Sequence, residues 1–227
     1  MNTPTQTLDK DQTHHFMDGR KFLEGIDEGS ASCAFYDPQY RGVMDKLSYG
    51  NEGARQKGRA KLDQMPDDMI VEFITGINRA LQPMGHLFLW VDKFHLCQGI
   101  QPWLSEHDLQ IVDMIVWNKL RMGMGYRSRS VCEYLMVLQK PPTRAKGVWT
   151  NHKIRNVWDE SIPRGGHPHK KPIELQKALI EAVTRPGDLI IDPAAGSFSV
   201  LTAAQQVGDR QFIGCDLVDH RPAEAAP

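Results

Sequence analysis

The segment with the clearest chemical potential is an apolar strand followed by Asp-Pro-Gln-Tyr. The apolar residues 31–36 lead into Asp37, Pro38, Gln39 and Tyr40. A carboxylate and a neighbouring backbone carbonyl can accept hydrogen bonds from both N–H groups of an amine. An aromatic ring can stack on a flat base, a contact worth about 1–3 kcal/mol. The loop therefore predicts a site that orients an exocyclic amine, and in a duplex the base would have to flip out.

A second strand-end aspartate begins a turn that suits a nucleotide-like cofactor. The apolar run 189–191 leads into this turn, and a helical pattern follows it from 199. The turn consists of Asp192, Pro193, Ala194, Ala195, Gly196, Ser197 and Phe198. Glycine allows a ligand to approach backbone amides closely. About 20 residues further on, a strand ends at Asp216, where a carboxylate would accept hydrogen bonds from ribose hydroxyls. Together the two loops favour methyl transfer to an amine.

The elements that must position these loops alternate between strand and helix. Apolar runs of strand length occur at 31–36, 86–91, 111–117, 131–138, 189–191 and 211–215, and helical patterns at 66–81, 94–105, 172–183 and 199–207. This alternation predicts an α/β fold with a mostly parallel, three-layer arrangement. Trp90 and Trp117 fall at strand positions and are expected in the core.

Size and composition narrow the class of protein. A chain of 227 residues is long enough for one α/β domain with a complete core. No apolar run approaches the roughly 18 residues that span a membrane, and the polar start shows no signal-peptide pattern. Four scattered cysteines without a Cys-x-x-Cys pair favour free thiols and a reducing cytoplasm. His167 and His169 alone do not make a ligand set, so no metal is predicted.

Charge is unevenly distributed along the chain, although the net charge is only -1. Residues 119–185 contain 14 Lys and Arg against 5 Asp and Glu, whereas residues 186–227 contain 2 against 6. A basic part beside an acidic part favours one face that meets a polyanion.

The order of these motifs resembles that of the amino DNA methyltransferases, the family that methylates adenine N6 or cytosine N4, in its permuted β group. In that group Asp-Pro-Pro-Tyr precedes Asp-Pro-Phe-x-Gly-Ser-Gly, as 37–40 precedes 192–198 here. Residues 17–30 resemble the family's segment before the catalytic strand. Residues 167–172 (HPHKKP) are similar to its His-Pro-x-x-Lys-Pro box. The resemblance covers roughly 16–218.

The resemblance implies a three-layer Rossmann-like methyltransferase fold with a mostly parallel seven-stranded sheet and permuted motif order. It implies a single domain over 16–218, with flexible tails at 1–15 and 219–227. Within it, we expect a catalytic half at 16–140, a short target-recognition segment at 141–166 and a cofactor-binding half at 167–218.

Residue roles follow from the same resemblance. Catalysis is assigned to Asp37, Pro38, Gln39 and Tyr40. Binding of S-adenosyl-L-methionine is assigned to Asp18, His167, Lys171, Asp192, Pro193, Ala194, Gly196, Ser197, Phe198 and Asp216. DNA contact is predicted for two basic segments, with Arg41, Arg55, Lys57, Arg59 and Lys61 in one and Arg144, Lys146, Lys153, Arg155 and Arg164 in the other. Lys and Arg would hold phosphates, while Trp149, Asn151 and Trp158 would read or wedge bases.

Two residues depart from the family pattern. Gln39 replaces the usual second proline, which loses rigidity but keeps the Asp37 carboxylate and the Pro38 carbonyl. Phe198 replaces the usual last glycine, where a ring would either crowd the cofactor or cover one side of it. These departures keep open a non-catalytic DNA-binding protein on a decayed methyltransferase fold.

The predicted function is transfer of a methyl group from S-adenosylmethionine to adenine N6 in DNA, because the catalytic motif begins with Asp rather than Ser. Cytosine N4 and an RNA base are the near alternatives. A protein-glutamine methyltransferase is disfavoured, because there the cofactor motif comes first. The predicted partner is therefore DNA, and the predicted biological setting is restriction–modification. Neither a membrane nor a metal is expected as a partner. A homodimer stays open, because dimers are frequent in the resembled group.

Overall fold

The computed structural model describes residues 14–39, 65–123, 128–161 and 170–218. The strands are β1 (His14–Phe16), β2 (Ala31–Tyr36), β3 (Leu81–Val91), β4 (Gln110–Asn118), β5 (Cys132–Gln139), β6 (Val157–Asp159), β7 (Leu189–Asp192) and β8 (Gln211–Asp216). The helices are α1 (Gly19–Glu24), α2 (Asp67–Ala80), α3 (Lys93–Gln98), α4 (Gln101–Leu104), α5 (Ile173–Val183) and α6 (Ser199–Val207). All the strands join one sheet in the order β1-β8-β7-β2-β3-β5-β4-β6.

The predicted α/β class is confirmed, but the strand number is not. The described part of the chain forms eight strands rather than seven. The two strands at the edges of the sheet, β1 and β6, have three residues each, too few to show a periodic pattern. As a consequence, His14 and His15, expected in a flexible tail, pair with β8. Likewise β6 lies within the segment 141–166, for which no strand was predicted.

Helices cover both faces of the sheet because side chains of successive strand residues point to opposite sides. In β2, Ala34 and Tyr36 pack with the apolar faces of α1 and α2. Cys33 and Phe35 pack instead with α5 and α6. Every residue of β2 is buried, as expected for a central strand with both faces covered.

The predicted core positions of the two tryptophans are confirmed. Trp90 and Trp117 are each 2% exposed, and they meet edge to face on the α5–α6 side of the sheet. The indole N–H of Trp117 donates to the backbone carbonyl of Glu160 at 2.8 Å. A buried indole therefore keeps its hydrogen bond, as burial of a polar group requires.

The strand order places the predicted site loops at one edge of the sheet. β2 is parallel to β3 on one side and to β7 on the other, and β7 is parallel to β8. The chain turns to opposite sides of the sheet after β2 and after β7, so a topological switch point lies between these two strands. Ligands of open α/β sheets bind outside the carboxyl ends of strands at such a point.

β5 runs against this parallel set. It is antiparallel to β3 and to β4, with Val91 opposite Tyr134 and His86 opposite Gln139. The start of β5 therefore lies at the carboxyl edge of the parallel strands, and its end lies at the opposite, amino edge. Residues just before and after β5 are thus separated by the full height of the sheet.

One helix was predicted wrongly. The expected helix over 94–105 is two short helices, α3 and α4. They are separated at Gly99, whose φ of 87° leaves the helical region. Helix α2 matches its predicted apolar face, with Ile70, Phe73, Ile74 and Ile77 buried. It ends at Ala80, because the chain enters β3 at Leu81 rather than at the predicted residue 86.

Two further properties concern the whole described chain. None of its helices is long and apolar enough to cross a lipid bilayer. All four cysteines are free, with Cys33 and Cys215 buried, Cys132 half-buried and Cys97 exposed.

The start of α5 is capped from a distant segment. Pro172 precedes the helix and gives no side-chain cap. Glu160, just after β6, accepts hydrogen bonds from the backbone N–H groups of Glu174 at 3.1 Å and Leu175 at 3.0 Å. A carboxylate at this place also complements the positive end of the helix. Glu160 therefore ties the sheet edge to the helix that follows Lys171.

Replacing Glu160 by Ala should lower the free energy of unfolding by about 1–2 kcal/mol, since that is the usual cost of losing a helix cap. Urea unfolding followed by circular dichroism would measure it. Glu181→Ala is the matched control, because Glu181 is an exposed residue of the same helix. Equal stability of the two variants would contradict the capping role.

Candidate active site

The Asp-Pro-Gln loop directly follows β2 and is fixed at both ends. On the strand side, the Tyr36 ring stacks on Phe73 of α2 with centroids 5.0 Å apart. The backbone carbonyl of Gln39 accepts a hydrogen bond from the amide of Met65 at 2.8 Å. Because Gln39 makes this bond with its backbone, the loop is held although the usual second proline is absent. Asp37 and Pro38 lie between these two anchors.

The turn after β7 is tied to the end of β8. The amide of Gly196 donates to Oδ2 of Asp216 at 2.8 Å, and the amide of Ala195 donates to the carbonyl of Cys215 at 2.8 Å. Asp192, the last residue of β7, is 5% exposed and accepts from the amide of Ala194 at 3.2 Å. The predicted cofactor residues of this turn and Asp216 are thus brought together as one rigid unit.

Three carboxyl groups converge at this edge of the sheet. Burial raises the pKa of the Asp192 carboxyl well above its ordinary value, against the opposing hydrogen bond from Ala194. The charges of Asp37 and Asp216 add to the rise. Asp192 is therefore close enough to Asp37 and to Asp216 for their charges to act on it, so the two predicted sites lie at one edge of the sheet.

Phe198 directly precedes α6 and has a left-handed backbone conformation, with φ 53° and ψ 37°. Its ring is 4% exposed and packs on β1, with centroids 4.6 Å from His14 and 6.4 Å from Phe16. The ring is therefore part of the core beside the turn. The backbone at Phe198 keeps the left-handed conformation that the glycine of the family pattern favours, and the predicted contact of Phe198 with the cofactor stays a prediction.

Asp18 lies at the same edge, near the end of β8. The amide of its neighbour Met17 donates to the carbonyl of Asp216 at 3.0 Å. The Asp18 carboxylate caps α1 through the amide of Arg20 at 2.8 Å and forms an ion pair with the guanidinium. The side-chain hydrogen bond from Arg20 lowers the pKa of Asp18 below its ordinary value. Its predicted contact with a cofactor stays a prediction.

Lys171 directly contacts the catalytic loop. Its ammonium lies 2.9 Å from Oδ2 of Asp37 and 2.8 Å from Oε2 of Glu133, and 4.7 Å from the centroid of the Trp90 ring. The sequence predicted a contact with the cofactor for this lysine. The described contacts are with Asp37 in the loop after β2, with Trp90 of β3 and with Glu133, the second residue of β5.

Glu133 was missed by the sequence analysis. It stands near the start of β5 and also pairs with Lys119 at 3.0 Å. Burial acts to raise the pKa of the Glu133 carboxyl, but Lys171 and Lys119 outweigh burial and lower it to about 2. A charged residue inside the apolar run 131–138 was the signal that could have found it, since charges in strands of this kind are buried only when paired.

The described basic residues predicted to contact DNA lie apart from the catalytic loop. Arg144 exchanges hydrogen bonds with Gln139 at the end of β5, so it lies at the amino edge of the sheet, and its guanidinium donates to the carbonyl of Lys146. Lys153 and Arg155 are exposed and lead into β6. A DNA contact of these four residues stays a prediction.

The two tryptophans of the segment 141–166 pack against the protein rather than pointing into solvent. Trp149 and Trp158 are half-buried and pack against the core on the α5–α6 side. Their indole N–H groups donate to the carbonyl of Asn151 at 2.9 Å and to the carboxylate of Glu160 at 2.8 Å. Both rings are therefore used in packing, and this explains why residues without periodicity still adopt a defined conformation.

The remaining predicted site residues lie outside the described residues: Tyr40, Arg41, Arg55, Lys57, Arg59, Lys61, Arg164 and His167. Among the described residues, no group of three or more His, Cys, Asp or Glu side chains is arranged to hold a metal ion.

Comparison with known proteins gives consistent matches. Residues 32–225 match the model of the DNA methylase family of N6 and N4 enzymes. Type II methyltransferase M.HhaII of Haemophilus parahaemolyticus is 52% identical over 204 residues, covering 89% of each chain. DNA adenine methyltransferase YhdJ of Escherichia coli K12 is 40% identical over 70 residues, which cover 31% of this chain and 22% of YhdJ.

Solved structures match over nearly the whole chain. The complex of M1.HpyAVI with SAM has a TM-score of 0.64 at 18% identity, covering 90% of this chain and 92% of that one. The cytosine-N4-specific PvuII DNA methyltransferase has a TM-score of 0.68 at 16% identity, covering 90% of this chain and 81% of that one. At these identities the likeness establishes the fold.

Proposed function

Because the chain belongs to the DNA methylase family, we propose that it transfers the methyl group of S-adenosylmethionine to the exocyclic N6 of adenine in DNA. The enzyme is a DNA methyltransferase, and S-adenosylmethionine is its methyl donor. The assignment of adenine and the roles of the individual residues are the parts that this proposal adds.

One observation carries the proposal: the loop with Asp37 and the turn that begins at Asp192 flank the same switch point of the sheet. An amine held by the first loop and a cofactor held by the second would meet there. Methyl transfer needs the donor carbon in line with the accepting nitrogen, so positioning of this kind can supply most of the rate.

The turn after β7 fits the cofactor. Gly196 has a φ of 50°, and nothing lies within 4 Å of the place where a Cβ would stand. The backbone is therefore open on that side. S-adenosylmethionine supplies an electrophilic methyl group on a positively charged sulfonium. The Asp216 carboxylate, whose Oδ2 accepts the amide of Gly196, adds a negative charge beside this turn that favours such a cation.

Gly196→Ala should weaken binding of S-adenosylmethionine about tenfold, equivalent to about 1.4 kcal/mol, because the added methyl group would occupy the open side of the turn. The left-handed backbone should also lower stability by about 1 kcal/mol. Gly187→Ala is the matched control, since Gly187 has a φ of 87° and equally open surroundings in the α5–β7 turn. Calorimetry on both variants would measure affinity, and equal affinity would contradict the assignment.

Asp37 and Pro38 are proposed to orient the amine. The lone pair of an exocyclic amine is delocalised into the ring, which makes the nitrogen a poor nucleophile. Hydrogen bonds from both N–H groups, to the Asp37 carboxylate and to the Pro38 carbonyl, favour a pyramidal nitrogen with its lone pair aimed at the donor. The base must leave the helix to reach this loop.

Adenine is favoured over cytosine by two observations. The catalytic motif of this chain begins with Asp, and the relative named as a DNA adenine methyltransferase shares 40% identity over 70 residues. The fold itself does not distinguish the bases, because a cytosine-N4-specific enzyme has it too. Since M.HhaII is a Type II methyltransferase, we further assign this chain to the modification side of a restriction–modification pair.

The proposal is tested by incubating the purified protein with S-adenosylmethionine and unmodified DNA, and identifying the methylated nucleosides by mass spectrometry. N6-methyladenine is the expected product. N4-methylcytosine would keep the mechanism and overturn the assignment of the base. Methylation of RNA but not DNA in parallel reactions would overturn the assignment of the substrate.

A further inference from the structure

Three successive ion pairs connect the end of β4 with the catalytic loop. Lys119 follows β4 and contacts Oε1 of Glu133 at 3.0 Å, while Lys171 contacts Oε2 of the same carboxylate at 2.8 Å. Lys171 then reaches Oδ2 of Asp37 at 2.9 Å. Each carboxylate oxygen of Glu133 is thus used by a different lysine, which fixes its orientation.

Lys171 lies between the two carboxylates of this series and is shielded from solvent. Its side chain is 15% exposed, and its ammonium lies over the Trp90 ring. Burial acts to lower the pKa of Lys171, but Asp37 and Glu133 outweigh burial and raise it above its ordinary value. A shielded cation between two carboxylates is strongly held, because charge pairs in such surroundings are weakly screened.

The ammonium of Lys171 has three N–H donors, and it contacts two carboxylate oxygens, one of Asp37 and one of Glu133. Of the two lysines that pair with Glu133, Lys171 also contacts the Asp37 carboxylate. Lys171 therefore connects the Glu133 carboxylate to the Asp37 carboxylate.

We propose that Lys171, anchored by Glu133, is a positioning residue that holds the Asp37 carboxylate charged and in the orientation that receives the target amine. This inference rests on the proposed function, in which Asp37 accepts a hydrogen bond from that amine. A protonated carboxyl group at Asp37 would carry an O–H donor, and its uncharged carbonyl oxygen would be a weaker acceptor for the amine.

Other charged groups around Asp37 bear on the pH dependence. The Asp192 carboxyl at the end of β7 and the Tyr36 phenol at the end of β2 both feel the charge of Asp37. Glu133 adds a second negative charge on the β5 side. Lys171 is the cation in direct contact with Asp37 in this set, so its loss should make the carboxylate harder to keep ionised.

The first test compares Lys171→Met with the wild type in steady-state kinetics across pH, with saturating S-adenosylmethionine and DNA. An opposite charge at this distance lowers the pKa of a carboxyl by about 1–3 units, so its removal should move the acid limb of kcat to higher pH by about that amount. At neutral pH kcat should fall about 10²–10³-fold, as when one preorganised charge-stabilising group is removed. Lys177→Met is the matched control, because Lys177 is a half-buried lysine of α5 whose ion-pair partner is Glu174 of the same helix, and it should leave the profile unchanged.

Two further variants keep the test decisive if Lys171→Met does not fold. Lys171→Arg keeps the charge, so the acid limb should stay in place while the altered geometry lowers kcat. Glu133→Gln keeps the shape of the anchor and removes a negative charge. Because Lys171 would be less well ordered, kcat should fall about tenfold. The acid limb of the kcat profile should not move to higher pH, because Lys171 keeps its charge.

An unchanged pH profile and kcat in Lys171→Met would overturn the proposal. So would a variant in which only the dissociation constant of S-adenosylmethionine rises, because that result would make Lys171 a cofactor contact. Failure of the proposed function is distinguishable, since it would appear as a different methylated product in the wild type. An acid limb that moves with the charge at position 171 would support the positioning role for either base.

Discussion

Replacing Asp37 by Asn should lower kcat for DNA methylation about 10³–10⁴-fold, the upper part of the range for a group that acts directly on the reacting amine. The substitution keeps the size of the side chain but replaces the charged carboxylate by a neutral amide, whose one carbonyl oxygen is a weaker acceptor for the N–H of the amine. It also removes one of the two carboxylates that contact Lys171, so the ion pair with Glu133 is left. Single-turnover methylation of a DNA duplex would measure the effect.

Binding of S-adenosylmethionine should survive this change, because the turn after β7 is held by the hydrogen bonds of the Gly196 amide to Asp216 and of the Ala194 amide to Asp192. Calorimetry on the variant separates the two steps. Asp108→Asn is the control, since Asp108 is an exposed aspartate before β4. Loss of cofactor binding together with transfer, or full activity in the variant, would refute the role assigned to Asp37.

Truncating Phe198 to Ala should lower the free energy of unfolding by about 3–5 kcal/mol, the usual cost of removing a buried aromatic ring. The ring is 4% exposed and packs between α6 and β1. The residue also has a φ of 53°, a conformation that costs a residue with a Cβ about 1–2 kcal/mol. Phe198→Gly should therefore be more stable than Phe198→Ala by about 1 kcal/mol, although glycine has the smaller side chain.

Urea unfolding of the two Phe198 variants beside Phe94→Ala would test this order. Phe94 is 58% exposed on α3, so its truncation should change stability by less than about 0.5 kcal/mol. If the glycine variant were the less stable of the two at position 198, the left-handed backbone would not be the reason that this position prefers glycine. If Phe198→Ala matched Phe94→Ala, the ring would not stabilise the core.

The two departures from the family pattern therefore have structural explanations. Gln39 keeps the catalytic loop in place through its backbone carbonyl and Met65. Phe198 keeps the backbone conformation of the glycine that it replaces and turns its ring toward β1. Neither change removes Asp37, Asp192 or Asp216 from the edge of the sheet, which weighs against a decayed, non-catalytic fold.

Much of this architecture was predictable because it depends on local patterns. The buried runs of β2 and β7 fixed two central strands, since only strands covered on both faces are continuously apolar. Asp37 and Asp192 were identified because each directly follows such a strand. Parallel strands end at one edge, so their predicted proximity followed from the fold class alone. The short edge strands β1 and β6 were not predictable, because three residues carry no period.

The sequence by itself determined the fold class, the order of the two site loops and the aspartates that end their strands, because these depend on burial patterns within single segments. The tertiary structure alone decided the partners of those aspartates. Glu133 and Lys171 are distant in the chain from Asp37, yet the antiparallel β5 and the start of α5 bring their charges within 3 Å of each other. A lysine in a basic run gives no local signal of the carboxylate it will meet, because long-range ion pairs are fixed by how strands and helices pack.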